Sequence, residues 1–450
     1  RWWRYAMIST DTGFGLDCSI IRKIITPLMQ NMSMRKLWAL LAVLSSPLGT
    51  AHAEDLMTIY GLAQQNDPEF KRSGFNQQAS QEIKSQSIAQ MLPNVSFNAT
   101  SNRTRFESTS FLGTTLQEFW DHSLGINLKQ PIFHWDHWIQ LDQADNQIAQ
   151  ADAELQAKHQ GLMTRTVEAY FNILAAQDNL EFAGAEKRAI EKQLEQAQQR
   201  FDVGVIAITD VYEAQAAFDR AQANIIEAQN LLDNSKEALR EIIGENISDF
   251  KPLGNDIPLS PPSPEDISAW TETAEASNFN IVSQINQAEY IRKQIDIQQA
   301  KHLPTLDVVA LYRQQDNGNR YGFVGNTESI GLEFNLPLFE GGGTVSRTRK
   351  AEYDYQMAKE DLTKVKRNVN RLAKDAFRGV VASINRVKAL DATKQSAKMA
   401  LEAAEAGFEV GTRTMIDVLQ IQRNLYKAQS DYARSRYEYL INGIKLKEAA

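Results

Sequence analysis

The sequence is poor in cysteine, and proline is missing from long stretches of it. The only cysteine is Cys18, so the rest of the chain offers no disulfide, no thiol nucleophile and no thiolate metal site. No proline occurs between Pro131 and Pro252. Because proline breaks helix interiors, this gap permits a very long helix. Five of the twelve prolines fall between 252 and 264 instead, which predicts an irregular connection there.

Long apolar runs are also scarce. From residue 54 onward no run approaches the ~18 apolar residues that a membrane helix needs, so only strands could enter a membrane. Residues 34–53 have the basic start, apolar core and Ala-His-Ala end of a secretory signal peptide. Residues 1–33 begin with arginine and show no pattern, so we expect them to be a non-native upstream extension.

Basic charge is in deficit, and the patterns of enzymes are missing. Residues 54–450 hold 42 basic and 54 acidic residues, a net charge of −12, which argues against a nucleic-acid partner. His134 and His137 are spaced like metal ligands, but no supporting carboxylate or cysteine stands out, so packing at a junction is the favoured interpretation. The glycines at 341–343 lack the lysine of a phosphate loop. We expect no enzyme, no metal and no cofactor.

One stretch of the chain occurs twice. Residues 201–222 and 408–429 align without gaps and share eight identities, among them Gly204 with Gly411 and Asp210 with Asp417. Both copies continue with apolar residues seven apart, the period of a coiled coil. The chain therefore carries one structural unit used twice.

Each unit also contains alternating segments typical of strands. Alternation such as Val95, Phe97 and Ala99 predicts a hairpin with one apolar face, and 102–118 and 315–327 are expected to be its polar loop in each copy. The predicted first repeat, 54–247, has strands at about 92–106 and 119–131 and helices at about 134–203 and 209–243. A proline-rich connection, 248–278, precedes the second repeat, 279–450, with strands at about 305–315 and 328–339 and helices at about 344–407 and 414–448.

Two functional classes fit these elements. Four strands cannot close a membrane barrel, because the smallest single-chain barrels use eight, so several chains would have to share one. A dimer would supply eight strands and a trimer twelve, and counting does not choose between them. Trp120, Phe133, Trp135 and Trp138 could form an aromatic belt at a membrane surface or pack the strand–helix junction. The alternative is a secreted structural coiled-coil protein, an adhesin or chaperone, which leaves the paired hairpins unexplained.

Several motifs resemble the TolC family of outer-membrane efflux channels across residues 54–450. They are Ala169-Tyr-Phe-Asn172, Gln199-Arg-Phe-Asp-Val-Gly204, Ile208-Thr-Asp-Val211, Leu303-Pro-Thr-Leu306 and Val410-Gly-Thr-Arg413. The resemblance implies a mainly α fold with transmembrane β: a homotrimer with a twelve-stranded barrel in the outer-membrane lipid and a twelve-helix tunnel across the periplasm. It implies an exit duct for efflux or type I secretion, with a periplasmic adaptor and an inner-membrane RND or ABC-type transporter as partners.

The same resemblance implies a gate at the periplasmic tip. Its constriction would be lined by Asp417 and, where the family has a second acidic ring, by Gln420. The contacts that close the gate would come from Gln193, Thr209, Asp210, Glu405, Phe408 and Arg413. Gln193 would link to Glu405, while Arg413 would meet the pair at 209–210.

Two positions depart from the family pattern at this gate. Phe408 stands where a tyrosine hydroxyl would reach Asp210, and phenylalanine cannot donate that hydrogen bond. Gln420 leaves one ring of charge instead of two. From the residues alone, Asp210 and Asp417 are predicted to cap helices, as Thr209 is beside Asp210. Capping and a pore ring at Asp417 can coexist.

Overall fold

The computed structural model describes residues 54–111, 113–254, 257–318, 322 and 324–450. The extension and the signal peptide expected at 1–53 lie outside these residues. The first half consists of α1 (Leu56–Asn66), α2 (Pro68–Ala89), β1 (Asn94–Ser110), β2 (Gly113–Phe133), α3 (Trp135–Asp202) and α4 (Ile208–Ile243). The second half consists of α5 (Ile267–Ser277), α6 (Phe279–Ala300), β3 (Thr305–Asn317), β4 (Val324–Asn335), α7 (Gly343–Glu409) and α8 (Met415–Ala449).

Two very long helices dominate the chain. Helix α3 has 68 residues and α7 has 67, so each is about 100 Å long at 1.5 Å per residue. Both are free of proline and rich in alanine, glutamine, glutamate and lysine, which favour helix. Each turns back into a shorter helix that packs along it, α4 on α3 and α8 on α7.

Among the described residues, no helix combines the length and the hydropathy that crossing a lipid bilayer requires. The strands form one antiparallel sheet in the order β1-β2-β3-β4. The central pairing of β2 with β3 joins the two halves of the chain, with a register shift between Pro131 and Phe133.

The first hairpin is longer than the alternation predicted. Ser110 pairs with Gly113, so strand occupies most of the 102–118 segment that was expected to be a loop, and that expectation is wrong. The extension lacks an alternating apolar face, but cross-strand side chains support it. Arg103 Nη2 lies 2.8 Å from Glu118 Oε2, and the Thr109 and Thr114 hydroxyls are 3.2 Å apart. Such pairs stabilise adjacent strands by about 0.2–1 kcal/mol each.

The second hairpin, in contrast, is shorter at its C-terminal end than the sequence predicted. Strand β4 stops at Asn335, whereas the sequence predicted strand to residue 339. Pro337 follows two residues later and has no backbone N–H for a ladder. The polar loop expected at 315–327 is also shorter, because β3 continues to Asn317 and β4 begins at Val324.

One face of the sheet carries apolar side chains across all four strands. Register aligns Phe97 with Ile126 and Leu332 with Val308 on this face. Ile330 and Phe97 are 81% and 69% exposed in the single chain, so the residues that the structure describes leave them uncovered. Trp120, Trp135 and Trp138 are also about half exposed, which favours the aromatic-belt interpretation over packing.

The main apolar core lies where α1, α3, α4 and α8 meet. Ile59, Leu162 and Ile173 are fully buried there, and Tyr437 of α8 packs with them. Burial of each large aliphatic side chain stabilises the fold by about 1.5–3 kcal/mol. This core therefore fixes one helix of the second half against the first half.

Candidate functional site

The turns that end the two long helices have matching backbone geometry. Gly204 follows α3 with φ +77°, and Gly411 follows α7 with φ +79°. Only glycine adopts this left-handed conformation without steric cost. The two glycines shared by the repeated stretch therefore reverse the chain in both halves and create a tip from two helical hairpins.

Asp417 takes part in a capping box at the start of α8. Its backbone N–H donates to Thr414 Oγ1 at 3.2 Å, and its Oδ2 accepts from the Thr414 backbone N–H at 3.1 Å. The Thr414 hydroxyl also lies 3.0 Å from Oδ2. Thr414 is thus the N-cap and Asp417 the third helical residue, so the prediction that Asp417 itself is the N-cap is wrong.

These contacts keep the Asp417 carboxyl ionised. The Thr414 backbone N–H lowers its pKa most, followed by the Thr414 hydroxyl and then the positive charge of Arg413. Hydrogen bonds to a carboxylate favour the charged form. The contacts use Oδ2, and among the described residues no hydrogen bond is formed by Oδ1, which leaves that oxygen available to a cation.

The first tip turn lacks an equivalent cap. Ala207 is the N-cap of α4 and has no side chain that could accept a hydrogen bond, whereas Thr209 and Asp210 lie within the first helical turn. The prediction that Thr209 and Asp210 cap this helix is therefore wrong. Asp210 is the acidic residue in the first turn of this helix, a position where acidic side chains are common.

Phe408 lies against a tip cluster that joins the two halves of the chain. The buried members of the tip cluster are Ile190, Ala197, Val211, Ala214, Ala217, Ala221, Met415 and Leu419. Phe408 packs on this cluster, and the Arg200 guanidinium carbon lies 5.0 Å from its ring centroid. A cation over an aromatic face is worth about 0.5–1 kcal/mol at exposed sites. The ring thus replaces the missing hydroxyl contact with apolar and cation–π contacts.

Among the described residues of one chain, the other residues predicted for the gate form no contacts with one another. The side-chain oxygen of Gln193 is buried without a hydrogen-bond partner, while Glu405 is exposed. Arg413 is exposed and forms no ion pair among the described residues of the chain. Gln420 is exposed one turn beyond Asp417 and donates to Asn424 Oδ1 at 3.2 Å.

Farther from the tip, a buried polar pair links α3 to α8. The Tyr437 hydroxyl donates to Asp178 Oδ2 at 2.7 Å. Burial raises the Asp178 pKa, and the Tyr437 hydrogen bond only partly offsets this. Glu186 lines a cleft of about 780 Å³ between α3, α4 and α8, and burial raises its pKa as well. No local pattern indicates the pair of Asp178 and Tyr437, because its members are 259 residues apart.

We expect Asp178→Asn to be more stable than the wild type at pH 7 and to lose this advantage near pH 4. The raised pKa means that ionised Asp178 destabilises the fold at pH values above its folded pKa. The penalty disappears below the unfolded value of 3.8, where the group is protonated in both states. Urea unfolding midpoints at the two pH values test this. Tyr437→Phe, which leaves the carboxylate unpaired, should instead cost about 1–3 kcal/mol.

The start of α3 also differs from the sequence interpretation. The ligand atoms of His134, Asp136 and His137 lie within 4.8 Å of one another. The expectation that no carboxylate supports the histidine pair is therefore wrong. Asp136 lies between the two histidines in sequence, and the first turn of the helix brings all three together.

One protein-family model and several known proteins match most of the chain. The model of the family described as "Outer membrane efflux protein" matches residues 59–245 and 270–450. The chain is 37% identical to the outer membrane protein TolC of Vibrio cholerae, with 92% of this chain and 95% of that protein covered. It is 33% identical to TolC of Escherichia coli, with 89% and 82% covered.

A secretion protein and two solved channels show the same likeness. The chain is 30% identical to the alkaline protease secretion protein AprF of Pseudomonas aeruginosa, with 92% and 89% covered. The CmeC outer membrane channel of Campylobacter jejuni superposes with a TM-score of 0.74 at 18% identity, with 88% and 85% covered. The outer membrane protein VceC of Vibrio cholerae superposes with a TM-score of 0.73 at 20% identity, with 88% and 95% covered. These two structures confirm the fold.

Proposed function

The chain belongs to the outer membrane efflux protein family, and from this we propose which of its residues open and close the duct. The protein is the outer-membrane exit duct of an efflux or type I secretion system and conducts substrates passively to the exterior. It is a homotrimer located in the outer membrane and extending into the periplasm. It works with a periplasmic adaptor and an inner-membrane transporter.

The sheet is the observation that carries this function. Four strands expose one apolar face, and the same chain continues into helices of about 100 Å. Outward apolar faces and long helices are what a shared barrel with a periplasmic tube needs. A secreted adhesin or chaperone would have to leave that apolar face in water, so the coiled-coil alternative finds no support. The family is one of channels rather than enzymes, and we propose that this chain has no catalytic activity.

The chain divides, in our proposal, at the boundaries that the repeat suggests. The first unit comprises residues 54–247 and the second 279–450, with the proline-rich 248–278 between them. Each unit supplies one β-hairpin and one long helical hairpin. This division is supported by the equivalent tip turns at Gly204 and Gly411.

We place the constriction of the duct at Asp417 and Gln420. Three copies of Asp417 around a threefold axis would form an anionic ring that attracts cations. Repulsion within such a ring raises carboxyl pKa values, but the Thr414 cap lowers the pKa of each member. Ring and cap are therefore compatible, since the cap uses Oδ2 and stabilises the charged form. Gln420 contributes an uncharged second ring.

The gate itself is proposed to close through contacts between helical hairpins. Arg413 would pair with Asp210 and Thr209, and Gln193 would bond to Glu405. Support comes from the exposed Arg413 side chain, which forms no ion pair among the described residues of one chain. Phe408 contributes packing rather than a hydrogen bond.

Asp417→Asn tests the constriction. The amide keeps an oxygen for the Thr414 cap but removes the charge, so we expect block by La³⁺ to weaken at least about tenfold in half-blocking concentration. Single-channel recording of the purified trimer in planar bilayers measures this, with La³⁺ added to the side that faces the tip.

Glu409→Gln is the matched control, because Glu409 is an exposed tip carboxylate outside the proposed ring. It should leave the block unchanged. Equal block of wild type and Asp417→Asn would return Asp417 to a capping role only, and absence of conductance from folded trimers would contradict the duct.

A further inference from the structure

The cluster of His134, Asp136 and His137 lies at the junction of β2 and α3. His134 occupies the N-cap position of α3, and Asp136 and His137 are in its first turn. His134 Nδ1 lies 3.9 Å from Asp136 Oδ1, and one ligand atom from each of the three lies within 4.8 Å of the others. His134 offers no side-chain hydrogen bond to cap the helix. The cluster is therefore not explained as a helix cap.

Contacts with β3 fix the orientation of the His134 ring. His134 Nε2 lies 3.0 Å from Oδ1 of Asp307, a residue that is only 3% exposed. Lys129 Nζ lies 3.0 Å from the other Asp307 oxygen, which keeps this carboxyl an acceptor. In the neutral imidazole Nε2 then carries the hydrogen, and Nδ1 presents its lone pair. A carboxylate that holds the second nitrogen of a histidine is the usual outer partner of a metal-binding imidazole.

The second histidine leaves one ring nitrogen without a hydrogen bond. His137 Nδ1 is buried and has no hydrogen-bond partner among the described residues. An unsatisfied buried nitrogen costs about 1–3 kcal/mol unless something occupies it. The rings of His134 and His137 are stacked, with centroids 4.5 Å apart and planes 16° from parallel. Two Nδ1 lone pairs are thus available beside one carboxylate.

We propose that this cluster binds a divalent transition-metal ion of the zinc class through His134 Nδ1, His137 Nδ1 and the Asp136 carboxylate. Imidazole nitrogens select Zn²⁺, Cu²⁺ or Ni²⁺ over Mg²⁺ and Ca²⁺, which take oxygen ligands. Zinc–ligand bonds of about 2.0–2.2 Å place tetrahedral donors about 3.4 Å apart, so the three donors close by up to about 1.4 Å. Rotation of the Asp136 side chain, with small shifts of the two rings, provides this, because all three residues lie within four positions. Water fills the fourth position.

The ion clamps three elements together. His134 directly follows β2, Asp136 and His137 lie in the first turn of α3, and Asp307 holds the site from β3. An ion that binds the folded chain and not the unfolded one stabilises the fold by mass action. The metal site therefore reinforces the point where the sheet passes into the long helix, and it is separate from the tip.

Zinc binding to the detergent-solubilised trimer, purified without a polyhistidine tag, tests this proposal. We expect one Zn²⁺ per chain by titration calorimetry, and an absorption band of tetrahedral Co²⁺ when cobalt replaces zinc. His137→Ala should weaken zinc binding at least tenfold. Asp136→Asn should weaken it as well without removing a packed ring, and it decides the outcome if His137→Ala does not fold.

His302→Ala is the control, because His302 is exposed and outside the cluster. It should bind zinc like the wild type. The proposal is overturned if zinc binds without defined stoichiometry, or if Asp136→Asn and His302→Ala bind it equally well. Zinc should also raise the urea midpoint of the wild type and not that of His137→Ala.

Discussion

Replacing Arg413 with alanine should shift the tip strongly toward its open state. In the proposed gate each Arg413 contributes a charge-assisted contact to Asp210 and Thr209, and such contacts are worth about 1–1.5 kcal/mol when partly exposed. Threefold symmetry multiplies the effect to about 3–4.5 kcal/mol per trimer, a change of more than about a hundredfold in the open–closed equilibrium. Single-channel recording should show longer and larger openings.

Phe408→Tyr provides the opposite perturbation. It restores a hydroxyl that can donate to Asp210, so openings should become rarer than in the wild type. Lys398→Ala is the matched control, since it removes an exposed cation from α7 away from the tip turn and should leave gating unchanged. If Arg413→Ala and Lys398→Ala behave alike, Arg413 does not hold the gate.

Replacing Arg165 with alanine should lower the free energy of unfolding by about 3 kcal/mol. Arg165 Nη2 lies 2.6 Å from Asp67 Oδ2, and the Asp67 side chain is 1% exposed. Removing one partner of such a pair leaves an uncompensated buried charge, which costs about 3–5 kcal/mol. The lower end applies because Asp67 Oδ1 still accepts from the N–H groups of Glu69 and Phe70.

Lys158→Ala is the matched control for Arg165→Ala. Lys158 also joins α3 to α2, through a 2.7 Å ion pair with Glu69, but both side chains are about half exposed. Exposed pairs contribute only about 0.2–1 kcal/mol. Urea unfolding followed by circular dichroism should therefore separate the two variants by about 2 kcal/mol. Equal losses would mean that burial of Asp67 does not determine the strength of this contact.

The sequence predicted the long helices well, because the pattern that specifies them is local and recurs along each helix. A seven-residue apolar period over many turns indicates a helix and not a strand, and no proline interrupts it. The first hairpin was underestimated because its outer part is held by pairs such as Arg103 with Glu118, which leave no apolar period to read. The order of the strands depends on β2 meeting β3, a pairing between distant segments.

The helix caps at the tip could be predicted from the sequence in one half of the chain only. Thr414 and Asp417 have the spacing of a capping box, so the sequence held the signal for the correct cap. In the first half Ala207 occupies the equivalent place and the signal is missing. Pairs such as Asp178 with Tyr437 depend on how α3 and α8 align over long distances, which no local pattern encodes.

The bond between Asp178 and Tyr437 also defines a pivot. Tyr437 is 20 residues from Asp417 along α8, a lever arm of about 30 Å at 1.5 Å per residue. A rotation of about 10° at this pivot would displace the end of the arm by about 5 Å, nearly one helical turn. At the end of the arm, Met415 and Leu419 are buried in the tip cluster with α4 alanines such as Ala214, Ala217 and Ala221. A swing of the arm would therefore have to break apolar contacts of this cluster while the base stays fixed.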